Sequence, residues 1–245
     1  MPLRHNALTY IAEFLMTIIL HELVGADETR PFSPHCWKVV MALAHKGLPF
    51  ERRTVCFTKV PEVEGGVSRT VPVIRDGSQL IADSFMIAAY LEETYPDRPS
   101  LFGGDGGQAM ARFVEAWSQT TLHAALNVIV LHEIADRLAP EDQAYFRPSR
   151  EARLGQTFDQ VAERRQAEIE GFSAKLTPLR VMLKSQPWIR GSSPLFADYI
   201  VFGALQWARV VSGARLLEEG DAVKDWFERC LDLHGGIGRS VPAAG

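Results

Sequence analysis

Apolar and polar positions fall into two regimes along this chain. From Thr17 to about Pro99, short apolar runs alternate with stretches of helical period. The run Thr17 to Leu23 (TIILHEL) predicts a buried strand, with Met16 an alternative start, and a polar loop from Val24 to Phe32 follows. Ser33-Pro34 predicts a helix reaching Lys46, since Ser at the N-cap and Pro at the first helical position form a start signal and Gly47 a matching stop. Leu48 to Phe57 reads as a second strand, and Val71 to Ile81 as a hairpin turning at Asp76-Gly77. Asp83-Ser84 then caps a helix that stops before Pro96. Strand, helix, strand, hairpin and helix in that order imply a small mixed sheet covered by helices.

Beyond a Pro- and Gly-dense stretch near Tyr95 to Gly107, no strand pattern returns. Met110, Phe113, Val114 and Trp117 repeat at helical spacing, and Leu154, Phe158, Val161, Ile169, Phe172, Leu176 and Leu179 continue a helical stripe. Phe196 to Val211 is apolar nearly all round, as in a helix buried within a bundle, and Asp221 to Leu233 is amphipathic. The expected fold is therefore α/β followed by all-α. Residues 1–15 form an N-terminal extension, 16–95 the sheet domain, 96–107 a linker and 108–245 the helical domain.

Composition narrows the function classes. With 47% hydrophobic and 23% charged residues among 245, the chain has the apolar content of a globular protein. A formal net charge of −4 gives no general electrostatic reason to bind nucleic acid or an anionic membrane. Leu8 to Leu23 is apolar, yet Glu13 interrupts it, the n-region is hardly basic, and no small-residue cleavage site follows. The segment is also shorter than the roughly 20 apolar residues a bilayer span takes. Cysteines 36, 56 and 230 are too few and too dispersed for a disulfide scaffold or a four-ligand zinc site. A cytoplasmic location is the expectation, and no metal site is expected.

Four constellations carry candidate chemistry. Ser33 stands where a loop meets a helix N-terminus, whose free N–H groups and partial charge stabilise an anion, a thiolate included. Its simpler role is the N-cap, and the two roles compete for one hydroxyl. Val71-Pro72 opens the hairpin, where a proline fits because it owes the ladder no N–H. Asp83 suits an ammonium group, while the Ser84 hydroxyl and N–H suit a carboxylate; a capped helix is again the simpler reading. Cys36 occupies the second position of a Cys-x-x-Cys redox pattern whose first position is Ser33, leaving packing or thiol reactivity as its alternatives.

In this order and spacing, the Ser-Pro helix start, the Val-Pro hairpin, Asp83-Ser84, Tyr95-Pro96 and the FADY segment at Phe196 to Tyr199 resemble the glutathione transferase superfamily from Thr17 to about Arg239. SPHCWKVVMALAHKGLPFE, GGVSRTVPVI and DWFERCLDLHGGIGR resemble a bacterial subgroup, with related fungal proteins, that contains glutathione-dependent β-aryl-ether-cleaving (β-etherase-like) enzymes. The resemblance implies a thioredoxin-like glutathione-binding domain, glutathione as co-substrate, a hydrophobic small-molecule acceptor and a homodimer. It also implies a cis Val71–Pro72 bond with Val71 pairing to the glutathione backbone, Asp83 and Ser84 on the γ-glutamyl head, and Ser33 facing the thiol. Thr29, in a long loop, competes with Ser33 for the sulfur. Lys59 and Arg69 are the candidates for the glycyl carboxylate. The acceptor is placed near Trp117, and Leu195 stands where the family's Ser or Thr would complete a capping box with Asp198. Two other classes compete: a non-catalytic glutathione-fold binding protein, and a thiol–disulfide oxidoreductase using Cys36.

Overall fold

A computed structural model describes residues 17–244, so the expected N-terminal extension lies outside the described residues. The first half contains β1 (Ile18–Leu23), α1 (Pro34–His45), β2 (Phe50–Val55), β3 (Val73–Asp76), β4 (Gln79–Ala82) and α2 (Ser84–Thr94). The sheet order is β2-β1-β3-β4, with β1 parallel to β2 and antiparallel to β3. The second half contains α3 (Asp105–Trp117), α4 (Ala124–Asp136), α5 (Pro140–Leu154), α6 (Phe158–Lys175), α7 (Thr177–Met182), α8 (Phe196–Val211) and α9 (Ala222–Gly236).

β1 is central and buried, and it carries Glu22 inside the fold. That carboxylate is held by both ends of the Arg52 guanidinium at 2.6 and 2.8 Å, and Arg52 lies over the Trp37 ring at 5.1 Å. A buried charge needs such pairing to persist. α1 starts as expected: Ser33 Oγ accepts the Cys36 N–H at 3.3 Å, Pro34 follows, and Gly47 adopts a left-handed φ of 62° after the end.

Several expectations need correction. β2 stops at Val55, and Phe57–Gly65 forms short 3-10 turns kinked at Val63 and Glu64 instead of continuing the strand. Asp76 is the last residue of β3, paired with Gln79, so the hairpin loop is Gly77-Ser78. The buried face of α3 runs through Ala111 and Val114, while Met110 and Phe113 are exposed and Trp117 is half-buried. Leu101 and Phe102, between α2 and α3, are buried in the core.

α8 is the central helix of the second half, buried along almost its whole length. Asp198, in its first turn, accepts N–H bonds from Ile189 (2.9 Å), Leu195 (3.0 Å) and the Trp226 indole (3.1 Å). The capping box is thus half present. Asp198 satisfies the Leu195 N–H, and only the return bond from the Leu195 side chain is missing, because leucine has no acceptor. Burial pushes the Asp198 carboxyl up to about 6 despite these donors. α8 meets α1 at Gly203, where an added Cβ would overlap the Pro34 carbonyl oxygen. The GGIGR segment at residues 235–239 packs on the same helix: Gly238 fits beneath the Phe202 ring, and its carbonyl accepts from Gln206 at 2.7 Å.

Candidate functional site

The fold gathers the five expected residues at one end of the sheet. The loop after β1 delivers Ser33 to the N-terminus of α1. Val73 pairs with Ala82, so the residues just outside that pair, Val71-Pro72 on one strand and Asp83-Ser84 on the other, emerge together. The Val71–Pro72 bond is cis. Asp83 has a φ of 73° and its Oδ1 accepts the Phe85 and Met86 N–H groups at 2.9 and 3.0 Å, making it the cap of α2. Ser84 is buried.

Beside this end lies a cavity of about 370 Å³ at the seam of the two halves. Ser33, Arg69, Thr70 and Val71 line it from the sheet side, with Phe32 and Phe57. The helical half contributes Gln119, His123, Leu131, Phe146, Arg150 and Trp207 among others. Asp83 and Ser84 are not in its walls. Ser33 therefore caps α1 and also lines the cavity. Accepting the Cys36 N–H uses a lone pair and leaves the hydroxyl proton free to donate, so the two roles do not exclude each other.

The rival candidates are placed elsewhere. Thr29 is exposed, outside the cavity walls, and its hydroxyl donates to Asp27 at 2.6 Å. The loop that carries it is fastened to the helical half, with the Ala26 N–H on the Arg137 carbonyl at 2.8 Å. Cys36 is buried, and burial with the Glu22 charge nearby pushes its thiol up to about 12. Lys59 is exposed and paired with Glu62 at 2.9 Å, whereas Arg69 lines the cavity. Trp117 is absent from the walls; the π-helical turn Ser118–His123 that follows it brings Gln119 and His123 there instead.

The histidines beside the cavity are neutral. His123 stacks on His35 with ring centroids 5.3 Å apart, and Lys38 Nζ donates to His35 Nδ1 at 3.1 Å and to Glu115 at 2.8 Å. Burial first, then the Lys38 charge, lowers both imidazoles, His123 to about 4. Among the described residues, no group of three or more His, Cys, Asp or Glu side chains is placed to hold a metal ion.

The sequence reading missed the wall supplied by α5: Tyr145, Phe146, Arg150 and Arg153. Its hydrophobic pattern is weak, but Pro140 at the first position, Glu141 and Asp142 in the first turn and a left-handed Gly155 at the end mark a helix. Buried Asp142 also ties the halves together, accepting the Phe57 and Thr58 N–H groups at 3.2 and 2.8 Å.

A thioredoxin-like sheet domain followed by a helical half, with a cavity where they meet, defines a two-part fold of α/β and all-α halves. Residues 32–94 match the glutathione S-transferase N-terminal domain, and residues 109–233 match the glutathione S-transferase C-terminal domain. The chain belongs to the glutathione S-transferase family. The glutathione S-transferase-like protein ustS of Aspergillus flavus is 24% identical over 210 residues, covering 74% of this chain and 75% of that protein. Glutathione transferase GSTFuA3 of Phanerochaete chrysosporium superposes with a TM-score of 0.73 at 24% identity, over 94% of this chain and 98% of its own. Glutathione S-transferase CsGST63524 of Ceriporiopsis subvermispora, solved in complex with glutathione, gives 0.74 at 25% identity over 89% and 96%. Among the described residues, no helix is long and apolar enough to cross a membrane.

Proposed function

We propose that this chain binds glutathione at the sheet end and activates its thiol for attack on an apolar aromatic electrophile in the seam cavity. The observation that carries the reading is that Ser33 and Val71 line one cavity at the N-terminus of α1. In this reading Val71 pairs with the tripeptide backbone beside Pro72. Asp83 and Ser84 take the γ-glutamyl ammonium and carboxylate, and Arg69 takes the glycyl carboxylate.

A cysteine-type thiol has a pKa of about 8.5, and lowering it by two units takes about 2.7 kcal/mol. A helix N-terminus supplies roughly 0.3–1 kcal/mol, up to about 2 when partly buried. A hydrogen bond to a charged acceptor, here from Ser33, adds about 1.5–3 kcal/mol. Together they reach the required amount. Phe57, Phe146 and Trp207 offer the acceptor ring an apolar bed that excludes water.

Aryl halides and β-aryl ethers are the two acceptor classes of the proposal. The pieces that resemble the ether-cleaving subgroup serve as turns and packing in this fold: Gly65 and Gly66 have left-handed φ values of 75° and 86°, and Gly238 packs against Phe202. These three glycines lie outside the cavity walls, whereas Ser33, Pro34 and His35 of the first piece and Arg69, Thr70 and Val71 of the second line them. The proposal extends to a homodimer in a cytoplasmic setting. Met86 and Phe113 are exposed on α2 and α3, which touch where Arg112 lies over Phe85 at 3.5 Å.

Calorimetric titration with glutathione, followed by turnover of an aryl halide and an aryl ether panel, tests the reading. Binding with turnover of either class supports it; binding without turnover returns the chain to the non-catalytic class. No binding at millimolar glutathione overturns it. Light scattering reads the mass of the assembly in the same samples.

A further inference from the structure

We propose that the acceptor is an anionic aromatic compound, its carboxylate or sulfonate held by Arg150 with Arg153 at the rim; this rests on the transferase reading above. The walls of the cavity contain three arginines and no aspartate or glutamate. Arg69 adjoins Thr70-Val71 and belongs to the tripeptide side. Arg150 and Arg153 line the cavity from the helical half, three residues apart on α5 and therefore on one helix face.

The two fully buried lysines meet carboxylates. Lys38 pairs with Glu115 at 2.8 Å, and Lys46 with Glu92 at 2.9 Å. Among the described residues, no carboxylate forms an ion pair with Arg150 or Arg153. Arg150 instead donates to the Ser149 hydroxyl at 3.0 Å and stacks on Phe146 and Phe57 at 4.5 and 5.3 Å. Arg153 donates to Asn127 Oδ1 at 3.2 Å. Burial, and then repulsion from Arg153, lowers the Arg150 guanidinium to about 10.

A guanidinium stacked on two rings keeps its N–H edge for a planar anion, and the same rings bed the aryl group of the ligand. The geometry thus selects an aryl ring and an anion together. A neutral aryl acceptor would fill the bed and leave the arginines as they are.

The test compares 4-chloro-3-nitrobenzoate with 4-chloro-3-nitrobenzamide, each rate divided by its uncatalysed rate with glutathione. In both, the thiolate forms a C–S bond at the chlorinated carbon, the C–Cl bond breaks, chloride leaves, and the thiol proton passes to solvent. The normalised kcat/KM of the benzoate is expected to exceed that of the amide by about tenfold or more. Arg150→Met combined with Arg153→Met should abolish that preference, and Arg150→Lys should retain part of it, which separates charge from packing.

A benzoate-to-amide ratio near one in the wild type overturns the proposal. So does a ratio unmoved by the double variant while the KM for glutathione rises, because the arginines would then hold the glycyl carboxylate. If neither compound turns over and the wider aryl halide and aryl ether panels are inert as well, the transferase reading fails. Fluorescence titration with 8-anilinonaphthalene-1-sulfonate against neutral N-phenyl-1-naphthylamine then decides the anion site separately. Tighter sulfonate binding that the double variant loses supports it, and equal binding in both proteins overturns it.

Discussion

At the scale of single residues, the proposed site turns on one hydroxyl. Ser33 Oγ caps α1 through the Cys36 N–H, and the residue lines the cavity. Replacing Ser33 by Ala should lower glutathione-dependent turnover by one to two orders of magnitude, the loss of a charge-assisted hydrogen bond worth about 1.5–3 kcal/mol. The KM for glutathione should change little, since the tripeptide's grip lies with other groups. Loss of the cap should cost about 1 kcal/mol in a denaturant titration. Turnover unaffected by the change would shift the thiol's partner to a backbone amide of α1, since Thr29 is committed to Asp27. Cys36 makes the opposite case. A thiol held near 12 supplies almost no thiolate at neutral pH, so oxidised glutathione should leave Cys36 unmodified. Peptide mapping by mass should place any adduct on half-buried Cys56, and a mixed disulfide at Cys36 would restore the oxidoreductase reading.

At the scale of elements, α8 combines apolar burial with one carboxyl. Asp198 collects three N–H donors, yet desolvation outweighs them and the folded pKa rises from 3.8 to about 6. A carboxyl raised by folding favours the protonated form. Its stabilisation is full below 3.8 and lost as pH rises through 6, a swing of about 3 kcal/mol at 1.36 kcal/mol per unit. Asp198→Asn removes the titration. Thermal midpoints measured from pH 4 to 7 should therefore show the wild type losing ground against the variant as pH rises, and parallel curves would refute the assignment. The burial of α8 was readable because every turn of Phe196 to Val211 is apolar. Its pH response was not, because it depends on donors from Ile189 and Trp226 that only the fold brings near. α5 escaped the pattern for a related reason. It buries only Asp142 and Phe146 and gives the rest of its surface to solvent and to the cavity, so it lacks the periodic apolar stripe of a packed helix.

At the scale of the whole molecule, the halves are locked beside the proposed site. Local signals foretold the sheet, the cap and the hairpin, since each depends on a few adjacent residues. The cavity depends on how α1 leans on α8, and Gly203 sets that approach by leaving room for the Pro34 carbonyl next to Ser33. Two effects oppose each other when Gly203 becomes Ala. Helix propensity favours alanine by about 0.8–1 kcal/mol. Overlap with a backbone atom that cannot swing away costs about 1–3 kcal/mol in a packed interior. The overlap should win, lowering the midpoint of unfolding, and the displaced N-terminus of α1 should lower turnover with it. Gly171, exposed on α6 with nothing within 4 Å of an added Cβ, isolates the first effect. Gly171→Ala should stabilise by about 0.5–1 kcal/mol and leave turnover alone. Equal behaviour of the two variants in paired melting and activity measurements would mean that the seam yields freely, and that Ser33 owes its position to the loop instead of to the helical half.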